Sequence, residues 1–566
     1  MKPYPYTPIA IGVVAALLCG IPSPAAAQMR EPKLDRVLQN AHGGSRQRVI
    51  VRFKAGAGTT VEQKVLSKGN KVSSKHPSIG AFTAELSGDQ LAELARDPNV
   101  ESIGADADVD ASSLSFYDSS ISSSVLRNTL GEYPGSRGAG VGVAVIDSGI
   151  APLPAFYGRI TASYDVTSGV AVPTLAGDEY GHGTHVAGLI GANDSSYMGV
   201  APAVTFVSLK VLGKNGKGTT SSVIAAIEFA VANRQRLNIQ VVNLSLGHPI
   251  LSPAADDPLV QAVESAVRAG LIVVVSAGNV GKNPDTGLVG YAGVTSPGNA
   301  PSAITVGAVN TQGTVSHADD DVTSYSSRGP TWYDGFVKPD VVAPGHSLIS
   351  TTDVNSFLFK NYPNLDVKQN NRWYLRLSGS SMATAVVTGV VATMIEAHNG
   401  AVSYFTVNPG AITANTAKAM LQYTALPIRH ADGTMPDALT EGTGEVNAEG
   451  STRLAWLAVA MWANPSIATQ YPQVLATTSL IGGTPLDWAA RIIWGQQLAS
   501  GAALSPSSTA WATNILWGDN IIWGENIVWG ENIIWGENIV WGENIIWGES
   551  LVDASSKVLG QNILGW

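Results

Sequence analysis

The feature that most limits how this chain can fold is an alternation of apolar, β-branched runs with helical stretches between residues 140 and 463. The runs are short, as buried strands are, and stretches with helical periodicity separate them. Such alternation is typical of a parallel sheet with helices on both faces, because parallel strands need crossover connections. The strands are predicted at 142–146, 205–209, 240–244, 271–276 and 303–309, and the clearest helices at 221–236 and 257–269.

The composition excludes a disordered, coiled-coil or nucleic-acid-binding chain. The 566 residues are 45% hydrophobic, a globular proportion, but only 14% are charged, against about 25% in an average soluble protein. Acidic residues outnumber basic ones by 44 to 34, which gives a formal net charge of −10 and no basic surface for a phosphate backbone. We therefore expect no nucleic-acid partner.

The first 27 residues have the pattern of a secretory signal peptide. Lys2 supplies a positive start, residues 9–20 form an apolar run, and three alanines predict cleavage after Ala27. The run is too short to span a bilayer, which takes about 20 residues. A lipid anchor on Cys19 is the alternative, but the bulky Leu18 before it disfavours that anchor. We expect a secreted protein, extracellular or at the cell surface, without a membrane span or a disulfide.

Residues 46–110 carry the pattern of a small α+β unit. Strands are predicted at 49–53, 79–86 and 100–109, and helices at 60–68 and from a capping pattern at Ser87 and Gln90 to Arg96. A unit of this size has a thin core, so we expect it to pack against a larger partner. The serine-rich stretch 112–124 lacks apolar periodicity and is predicted to be a linker.

Three segments of the larger domain place reactive side chains where a strand ends or a helix begins. Asp147 ends an apolar strand, His182 opens a helix of small residues, and Ser381 enters a helix that runs to His398. A serine hydroxyl is a weak nucleophile until a base takes its proton, and neutral histidine is the natural base near pH 7. A buried aspartate fixes the tautomer of that histidine and stabilises its protonated form. Asp, His and Ser in this chain order are a recurring arrangement of the triad.

Asn279 is the candidate for stabilising negative charge on a substrate carbonyl. It follows an apolar strand and the residues Ser276, Ala277 and Gly278, so its side-chain amide is expected to reach the same site. Together with the backbone N–H of Ser381, this amide would form an oxyanion hole.

These segments together resemble the subtilisin-like serine proteases (subtilases, family S8) over about 320 residues. Further matches are Gly-Val-Ala-Pro at 199–202, Ser-Leu-Gly at 245–247, Ser-Tyr-Ser-Ser-Arg-Gly at 324–329, Val-Val-Ala-Pro-Gly at 341–345 and Gly-Thr-Gly-Glu-Val-Asn-Ala at 442–448. The resemblance implies a serine endopeptidase with Asp147, His182 and Ser381 as its triad and Asn279 as oxyanion donor. One departure is Ala385, where the family usually has proline.

The resemblance extends to substrate binding and to the preceding unit, which is similar to the ferredoxin-like, inhibitor-like propeptide of the family. The residues implied to bind substrate are Ser245, Leu246, Gly247, Ser276, Ala277 and Gly278. Residues 210–218 are predicted to form a flexible loop beside the cleft. The implied partners are protein or peptide substrates and the chain's own propeptide, and no cofactor is required for the chemistry.

Metal binding stays open at this point. His182 and His185 have the spacing of a zinc pair but lack a third ligand, so His185 is predicted to be a hydrogen-bonded core residue. Asn193 and Asp194 lie in a loop that is shorter than the calcium-binding loop of many relatives. The three aspartates at 319–321 fit either a calcium site or a solvated acidic loop. A structural calcium ion is therefore allowed, without an assigned site.

The C-terminal segment 514–549 is a repeat. The hexapeptide Asn-Ile-X-Trp-Gly-(Asp/Glu) occurs six times without a break. Because the period is even, all its tryptophans would face the same way in an extended chain. Short strands stacked as a solenoid or hairpins, a segment that self-associates or binds a surface, and a sugar-binding tryptophan stack all fit. The tail is predicted to be β or disordered.

The predicted fold is α/β, with a mostly parallel central sheet and helices on both faces. The predicted order is a signal peptide 1–27, propeptide 28–110, processing linker 111–135, catalytic domain 136–463, linker 464–513, repeats 514–549 and a C-terminal end 550–566. The predicted function is that of a secreted protease zymogen that removes its own propeptide by a cut between residues 106 and 124. The alternative is an adhesive surface protein whose protease domain serves only its processing.

Overall fold

The computed structural model describes residues 31–41, 43–111, 123–131, 135–282, 287–429, 433–464, 466, 476–494 and 497–500. The predicted signal peptide with Cys19, residues 112–122 of the predicted linker and the hexapeptide repeats lie outside these residues.

The first described unit is a four-stranded antiparallel sheet covered by helices. Its elements are β1 (Arg46–Phe53), α1 (Gly58–Ser67), β2 (Val72–His76), β3 (Ala81–Ser87), α2 (Gly88–Ala95) and β4 (Val100–Ala105), with the strand order β2-β3-β1-β4. The predicted capping box at Ser87 and Gln90 is confirmed, because each side chain accepts the other residue's backbone N–H. Strand β2 was not predicted, since its residues are mainly polar and only His76 is buried.

The prediction of a single last strand at 100–109 is wrong. After β4 the chain passes Asp106 and forms a separate strand, β5 (Asp108–Ala111), which leaves the first sheet and pairs with strands of the larger domain. The sequence pattern could not show this break, because the partners of β5 lie more than 100 residues further along the chain.

The larger domain is built on a central sheet that is mostly parallel. Its elements follow β5 in chain order: α3 (Ser123–Thr129), β6 (Gly142–Asp147), β7 (Ile160–Asp165), β8 (Val172–Pro173), α4 (His182–Gly191), β9 (Thr205–Lys210), β10 (Lys217–Thr219), α5 (Thr220–Asn233), β11 (Ile239–Leu244), β12 (Leu246–Pro249), α6 (Pro258–Arg268), β13 (Ile272–Ser276), β14 (Thr295–Ser296), β15 (Ile304–Asn310), β16 (Asp321–Val322), β17 (Val341–Pro344), β18 (Leu348–Thr351), α7 (Phe357–Asn361), β19 (Asp366–Gln369), β20 (Arg372–Leu377), α8 (Ser380–Phe405), α9 (Ala414–Thr424), α10 (Ala438–Glu441) and α11 (Ala448–Ala463).

The central sheet has the order β16-β15-β13-β11-β6-β9-β7-β8, with β17 beside β15. Only the pairs β7–β8 and β15–β16 are antiparallel among the described residues of this sheet. Strands β6 and β13 are buried along their whole length, which explains their continuous apolar sequences. Helices α5 and α6 cover one face, and α4 and α8 the other. The predicted α/β class is confirmed.

Helix α8 is the central helix of the larger domain. Among the described residues, it is the one helix long and apolar enough to cross a membrane, with a mean hydropathy of 1.4. However, 94% of its most apolar segment is buried inside the protein, so it acts as a core helix here.

Two parts of the predicted linkers are structured instead. Helix α3 lies within the predicted linker 111–135, and Leu126 and Leu130 from this region are buried in the main core. The predicted linker 464–513 contains two hairpins, β21 (Thr478–Ile481) with β22 (Thr484–Asp487) and β23 (Arg491–Trp494) with β24 (Gln497–Ser500). Trp488 and Ile492 from this segment also pack into the main core.

Candidate active site

The predicted Asp–His pair is formed where a central strand meets a helix. Strand β6 ends at Asp147, helix α4 begins at His182, and the Nδ1 atom of His182 lies 2.8 and 2.9 Å from the two carboxylate oxygens. Because a carboxylate only accepts, Nδ1 carries the proton and Nε2 presents a lone pair. Gly183 permits this approach, since a Cβ there would lie 2.2 Å from the carbonyl oxygen of Gly149.

Asp178 orients the helix that carries His182, and sequence reasoning missed it. Its buried carboxylate accepts hydrogen bonds from the backbone N–H groups of Gly181 and Thr184, both at 2.8 Å, and from the Thr184 hydroxyl at 2.7 Å. Burial raises the pKa of Asp178, while these donors oppose the rise. An aspartate just before a predicted helix start is the sequence signal that could have found it.

Ser381 lies in the first turn of α8, beside the strand segment that was predicted to bind substrate. Its Oγ donates to the carbonyl oxygen of Ser245 at 2.9 Å, and the Ser245 hydroxyl donates to the Ser381 carbonyl at 3.1 Å. Within the described residues, Nε2 of His182 has no hydrogen-bond partner. The structure therefore contains the Asp147–His182 bond but no hydrogen bond between His182 and Ser381.

The side-chain amide of Asn279 has a hydrogen-bonded oxygen and, within the described residues, an unpaired nitrogen. Its Oδ1 accepts the backbone N–H of Ser380 at 2.9 Å, which sets the orientation of the side chain. Its Nδ2 is buried and has no hydrogen-bond partner among the described residues. The backbone N–H of Ser381 belongs to the first turn of α8, where amides lack intrahelical partners. Both donors named from the sequence are thus available.

Gly278 lies between Ser380 of helix α8 and Thr295 of strand β14. Its N–H donates to the Ser380 hydroxyl at 3.1 Å, and its φ of 103° is one that glycine tolerates best. A Cβ at this position would lie 2.8 Å from Oγ1 of Thr295. Ser276 ends strand β13, and the Ala277 carbonyl accepts the backbone N–H of Thr295, so this segment forms a wall beside Ser381.

The cleft beside Ser381 holds a strand of the same chain. Strand β5 lies between β10 and β12 and is antiparallel to both. Ala111 pairs with Leu246 and Asp110 with Gly247, so the predicted backbone-binding edge does pair with an extended chain. On the other side, β10 belongs to the predicted loop 210–218, whose last residues are therefore an ordered edge.

The N-terminal unit is also anchored by the side chain of Asp106. Its carboxylate accepts the backbone N–H of Ser221 at 2.8 Å and the Ser221 hydroxyl at 2.9 Å, at the start of helix α5. The N–H of Thr220 donates to the carbonyl oxygen of Ala107 at 2.9 Å. A carboxylate at a helix N-terminus is favoured by the free N–H groups and by the helix dipole. Asp106 in turn forms an ion pair with Arg48 of β1.

Comparison with known proteins identifies the family of this chain. Residues 138–452 match the model of the subtilase family, Peptidase S8. The chain belongs to the subtilase family. It is 35% identical over 365 residues to serine protease AprX and 34% identical over 364 residues to subtilisin E, both from Bacillus subtilis strain 168. These alignments cover 62% of this chain and 78% and 81% of the two relatives.

The fold is likewise similar to a solved subtilase. Fervidolysin from Fervidobacterium pennivorans, described as a keratinolytic enzyme related to subtilisin, superposes with a TM-score of 0.56 and 22% identity. The match covers 75% of this chain and 63% of fervidolysin. This protein is therefore a subtilisin-like serine endopeptidase that acts on protein substrates, and subtilases need no cofactor for catalysis.

His185 of this subtilase is a core residue, as predicted. It is fully buried, and its Nε2 lies 3.1 Å from the carbonyl oxygen of Leu348 and 3.0 Å from that of Leu375. Burial, with a smaller effect of His182, lowers the pKa of His185 to about 3, so this imidazole is neutral at physiological pH.

Asp194, the first candidate calcium ligand of this subtilase, already accepts hydrogen bonds from protein donors on both carboxylate oxygens. Asp194 accepts the backbone N–H of Ser196 at 2.8 Å, the Tyr374 hydroxyl at 3.0 Å and the Arg372 guanidinium at 2.8 Å, whereas Asn193 is exposed. Burial favours the neutral carboxyl group, but these hydrogen bonds outweigh it and lower the pKa of Asp194. The guanidinium thus supplies the positive charge that a cation would bring.

The three aspartates at 319–321 do not act as a unit. Asp319 and Asp321 are exposed, as a solvated acidic loop requires, whereas Asp320 is buried. Only the outer two residues therefore fit the solvated alternative.

Proposed function

We propose that Ser381 is the nucleophile, His182 the general base and Asp147 the group that orients the base. Ser381 Oγ attacks the substrate carbonyl carbon while Nε2 of His182 takes its proton. The same proton then passes to the leaving amine, which departs and leaves an acyl-enzyme that water hydrolyses. The Asp147 carboxylate, 2.8 Å from Nδ1, stabilises the imidazolium form of the base.

We propose that Asn279 Nδ2 and the Ser381 N–H hold the oxyanion that forms on the carbonyl oxygen. The support for this role is that Nδ2 is buried without a partner while Oδ1 is fixed by Ser380. Donors that are oriented before the reaction stabilise developing charge without a cost of reorganisation. Before attack, the Ser381 hydroxyl must exchange the Ser245 carbonyl for Nε2 of His182 as its acceptor.

We infer further that the protein is made as a zymogen whose propeptide blocks the cleft. The observation that carries this proposal is strand β5, which fills the gap between β10 and β12 next to Ser381. In this form Ser381 and His182 are fully buried, so an external substrate has no access to them. The proposed autocatalytic cut follows Ala111, the last paired residue of β5, and lies within the range expected from the sequence.

We propose that the enzyme is exported and that its repeats serve stability, surface attachment or self-association instead of catalysis. Export is supported by the apolar run and the alanines before residue 28, and by the lack of cysteine after Cys19. The repeats 514–549 lie outside both the described residues and the family match.

A fluorophosphonate reagent tests the proposed triad directly. It loses fluoride to an activated serine oxygen and leaves a stable phosphonyl group that peptide mapping locates. We expect labelling of mature wild-type enzyme at Ser381, and very slow labelling of His182→Ala and of heat-denatured wild type. Labelling at another serine, or equal rates for wild type and His182→Ala, would contradict the assignment.

A further inference from the structure

A second cluster of ionisable side chains is built around His317, in the connection between β15 and β16. Nδ1 of His317 lies 2.8 Å from Oδ2 of Asp320 and 3.2 Å from Oε2 of Glu445. The nitrogen and oxygen atoms that the three residues offer all lie within 4.8 Å of one another. The cluster has no part in the reaction proposed above.

The other nitrogen of the imidazole faces a backbone carbonyl. Nε2 of His317 lies 2.9 Å from the carbonyl oxygen of Thr129, the last residue of α3. A carbonyl oxygen only accepts, so Nε2 carries a proton, and Nδ1, which faces the carboxylates, carries a second proton unless a metal ion takes its place. Histidines that bind metals almost always have this arrangement, in which the second nitrogen donates to a carbonyl or carboxylate.

The two carboxylates share one imidazole nitrogen and have fewer donors than two buried anions need. The side chains of Asp320 and Glu445 are each only 1% exposed. Yet, within the described residues, Oε1 of Glu445 and Oδ1 of Asp320 have no hydrogen-bond donor, and Oδ2 of Asp320 has Nδ1 of His317 at 2.8 Å as its neighbour. Buried carboxylates are normally paired, hydrogen-bonded or bound to metal, because burying an unsatisfied charge is costly. A neutral imidazole would leave two negative charges without compensation.

We propose that His317, Asp320 and Glu445 bind one zinc-like divalent transition-metal ion. Nδ1 and one oxygen of each carboxylate would be the protein ligands, and water the fourth. A mixed nitrogen and oxygen set fits such an ion, whereas calcium takes about six to eight oxygen ligands. A tetrahedral ion about 2.0–2.1 Å from each donor would set the donors about 3.3–3.4 Å apart, so the cluster must open by a few tenths of an ångström.

The ion would act as a structural clamp. The Thr129 carbonyl ties the cluster to α3, and the Glu445 backbone pairs with Leu426 in both directions at 2.8 Å. One ion would thus fasten the first described helix after the propeptide to the β15–β16 connection and to the segment before α11. The competing explanation is that the imidazole is itself the cation and that no metal binds.

Zinc titration of the full-length Ser381→Ala protein separates these explanations. The protein is made without a histidine tag, treated with EDTA, dialysed and titrated with zinc chloride by isothermal calorimetry. We expect one ion with a dissociation constant below about 1 μM, and a midpoint of thermal unfolding raised by about 3 °C or more at saturation. The inference does not depend on the proposed protease chemistry, because binding is measured in a protein without the proposed nucleophile.

Matched variants decide whether the binding occurs at this cluster. Glu445→Gln and Asp320→Asn keep the side-chain volume and remove one of two buried like charges, so both should fold, which circular dichroism checks. We expect each to weaken zinc binding by more than the about 10–100-fold that loss of an outer partner costs. Asp321→Asn, at an exposed neighbouring aspartate, should bind as the parent does. Absence of binding to the parent, or equal binding to all the variants, would overturn the proposal.

Discussion

At the residue scale, one atom of the Asn279 side chain holds the side chain in place, and another is kept for the proposed chemistry. Asn279 uses Oδ1 to accept the Ser380 N–H and leaves Nδ2 buried without a partner among the described residues. An unsatisfied buried donor costs about 1–3 kcal/mol. In the proposed mechanism this cost is recovered only when a negatively charged oxygen forms beside Ser381.

Replacement of Asn279 by alanine should therefore lower kcat with little change in KM. A subtilisin that loses its oxyanion-hole asparagine becomes about 10²–10³-fold slower, and we expect a similar loss here. Steady-state hydrolysis of a chromogenic peptide by mature enzyme measures both constants. Asn193→Ala, at an exposed asparagine, is the control. A change confined to KM would contradict the oxyanion role.

At the element scale, strand β5 links two domains that the sequence presents as separate. Its register with β10 and β12 covers Asp108 to Ala111, and Asp106 anchors it at the start of α5. Val109 is fully buried in the cluster that contains Leu212 and Leu246. The strand is therefore held by backbone pairing, by one buried apolar side chain and by a helix cap.

Removing the charge of Asp106 should weaken the binding of strand β5 in the cleft. Asn keeps a capping oxygen but not the charge, and a negative charge at a helix N-terminus contributes about 0.3–2 kcal/mol, so Asp106→Asn should loosen the proposed propeptide by about 2- to 30-fold. The measurement is the lag before hydrolysis begins in freshly purified zymogen, which should become shorter. Asp108→Asn, at an exposed aspartate of the same strand, should keep the wild-type lag. Equal lags in both variants would contradict the anchoring role.

Helix α10 provides a pH-dependent contribution to stability through Glu441. Burial raises the pKa of Glu441 to about 7 from an ordinary 4.5, although the Ile428 N–H and Arg491 oppose the rise. Because the folded state keeps this proton longer than the unfolded state, the contribution is complete below about pH 4.5 and is lost as pH rises through about 7.

Glu441→Gln should thus gain stability relative to its parent as pH rises from 4.5 to 8. The gain should reach about 1–3 kcal/mol, since each pKa unit corresponds to about 1.4 kcal/mol. Urea unfolding in the Ser381→Ala background measures it, with Glu93→Gln, at an exposed glutamate, as control. Parallel stability curves for Glu441→Gln and its parent would show that Glu441 titrates normally.

At the scale of the whole molecule, the catalytic body extends past the end of α11. Trp488 donates from Nε1 to the Ser479 hydroxyl at 2.9 Å, and the Arg453 guanidinium lies 4.8 Å from the centroid of its ring. Ile492 and Ile493 are 1% and 5% exposed. The hairpins of residues 478–500 therefore belong to the folded enzyme, whereas the repeats begin beyond them.

Two truncations should separate these parts. Deletion of 514–566 should leave peptide hydrolysis unchanged. Deletion of 476–566 should destabilise the enzyme by several kcal/mol, because each large apolar side chain that is uncovered costs about 1.5–3 kcal/mol. Hydrolysis lost with the shorter deletion would instead favour a function centred on the tail.

How far the sequence predicted the structure depended on how local each signal was. The buried parallel strands and the residues Asp147, His182 and Ser381 follow from short patterns at strand ends and helix starts. The pairing of Ala111 with Leu246 could not be predicted, because no periodicity relates segments so far apart. Trp488 and Ile492 were also missed, since polar residues interrupt their apolar pattern, and Ser381 was expected to contact His182 instead of Ser245.

The most direct test of the central claim compares wild type and Ser381→Ala purified from the culture medium. Intact mass and hydrolysis of an unstructured protein substrate are measured side by side. The wild type should have lost residues 28 to at least 111 and hydrolyse the substrate, while Ser381→Ala should keep its propeptide and be inactive. A variant that is processed and hydrolyses substrate like the wild type would show that Ser381 is not the nucleophile.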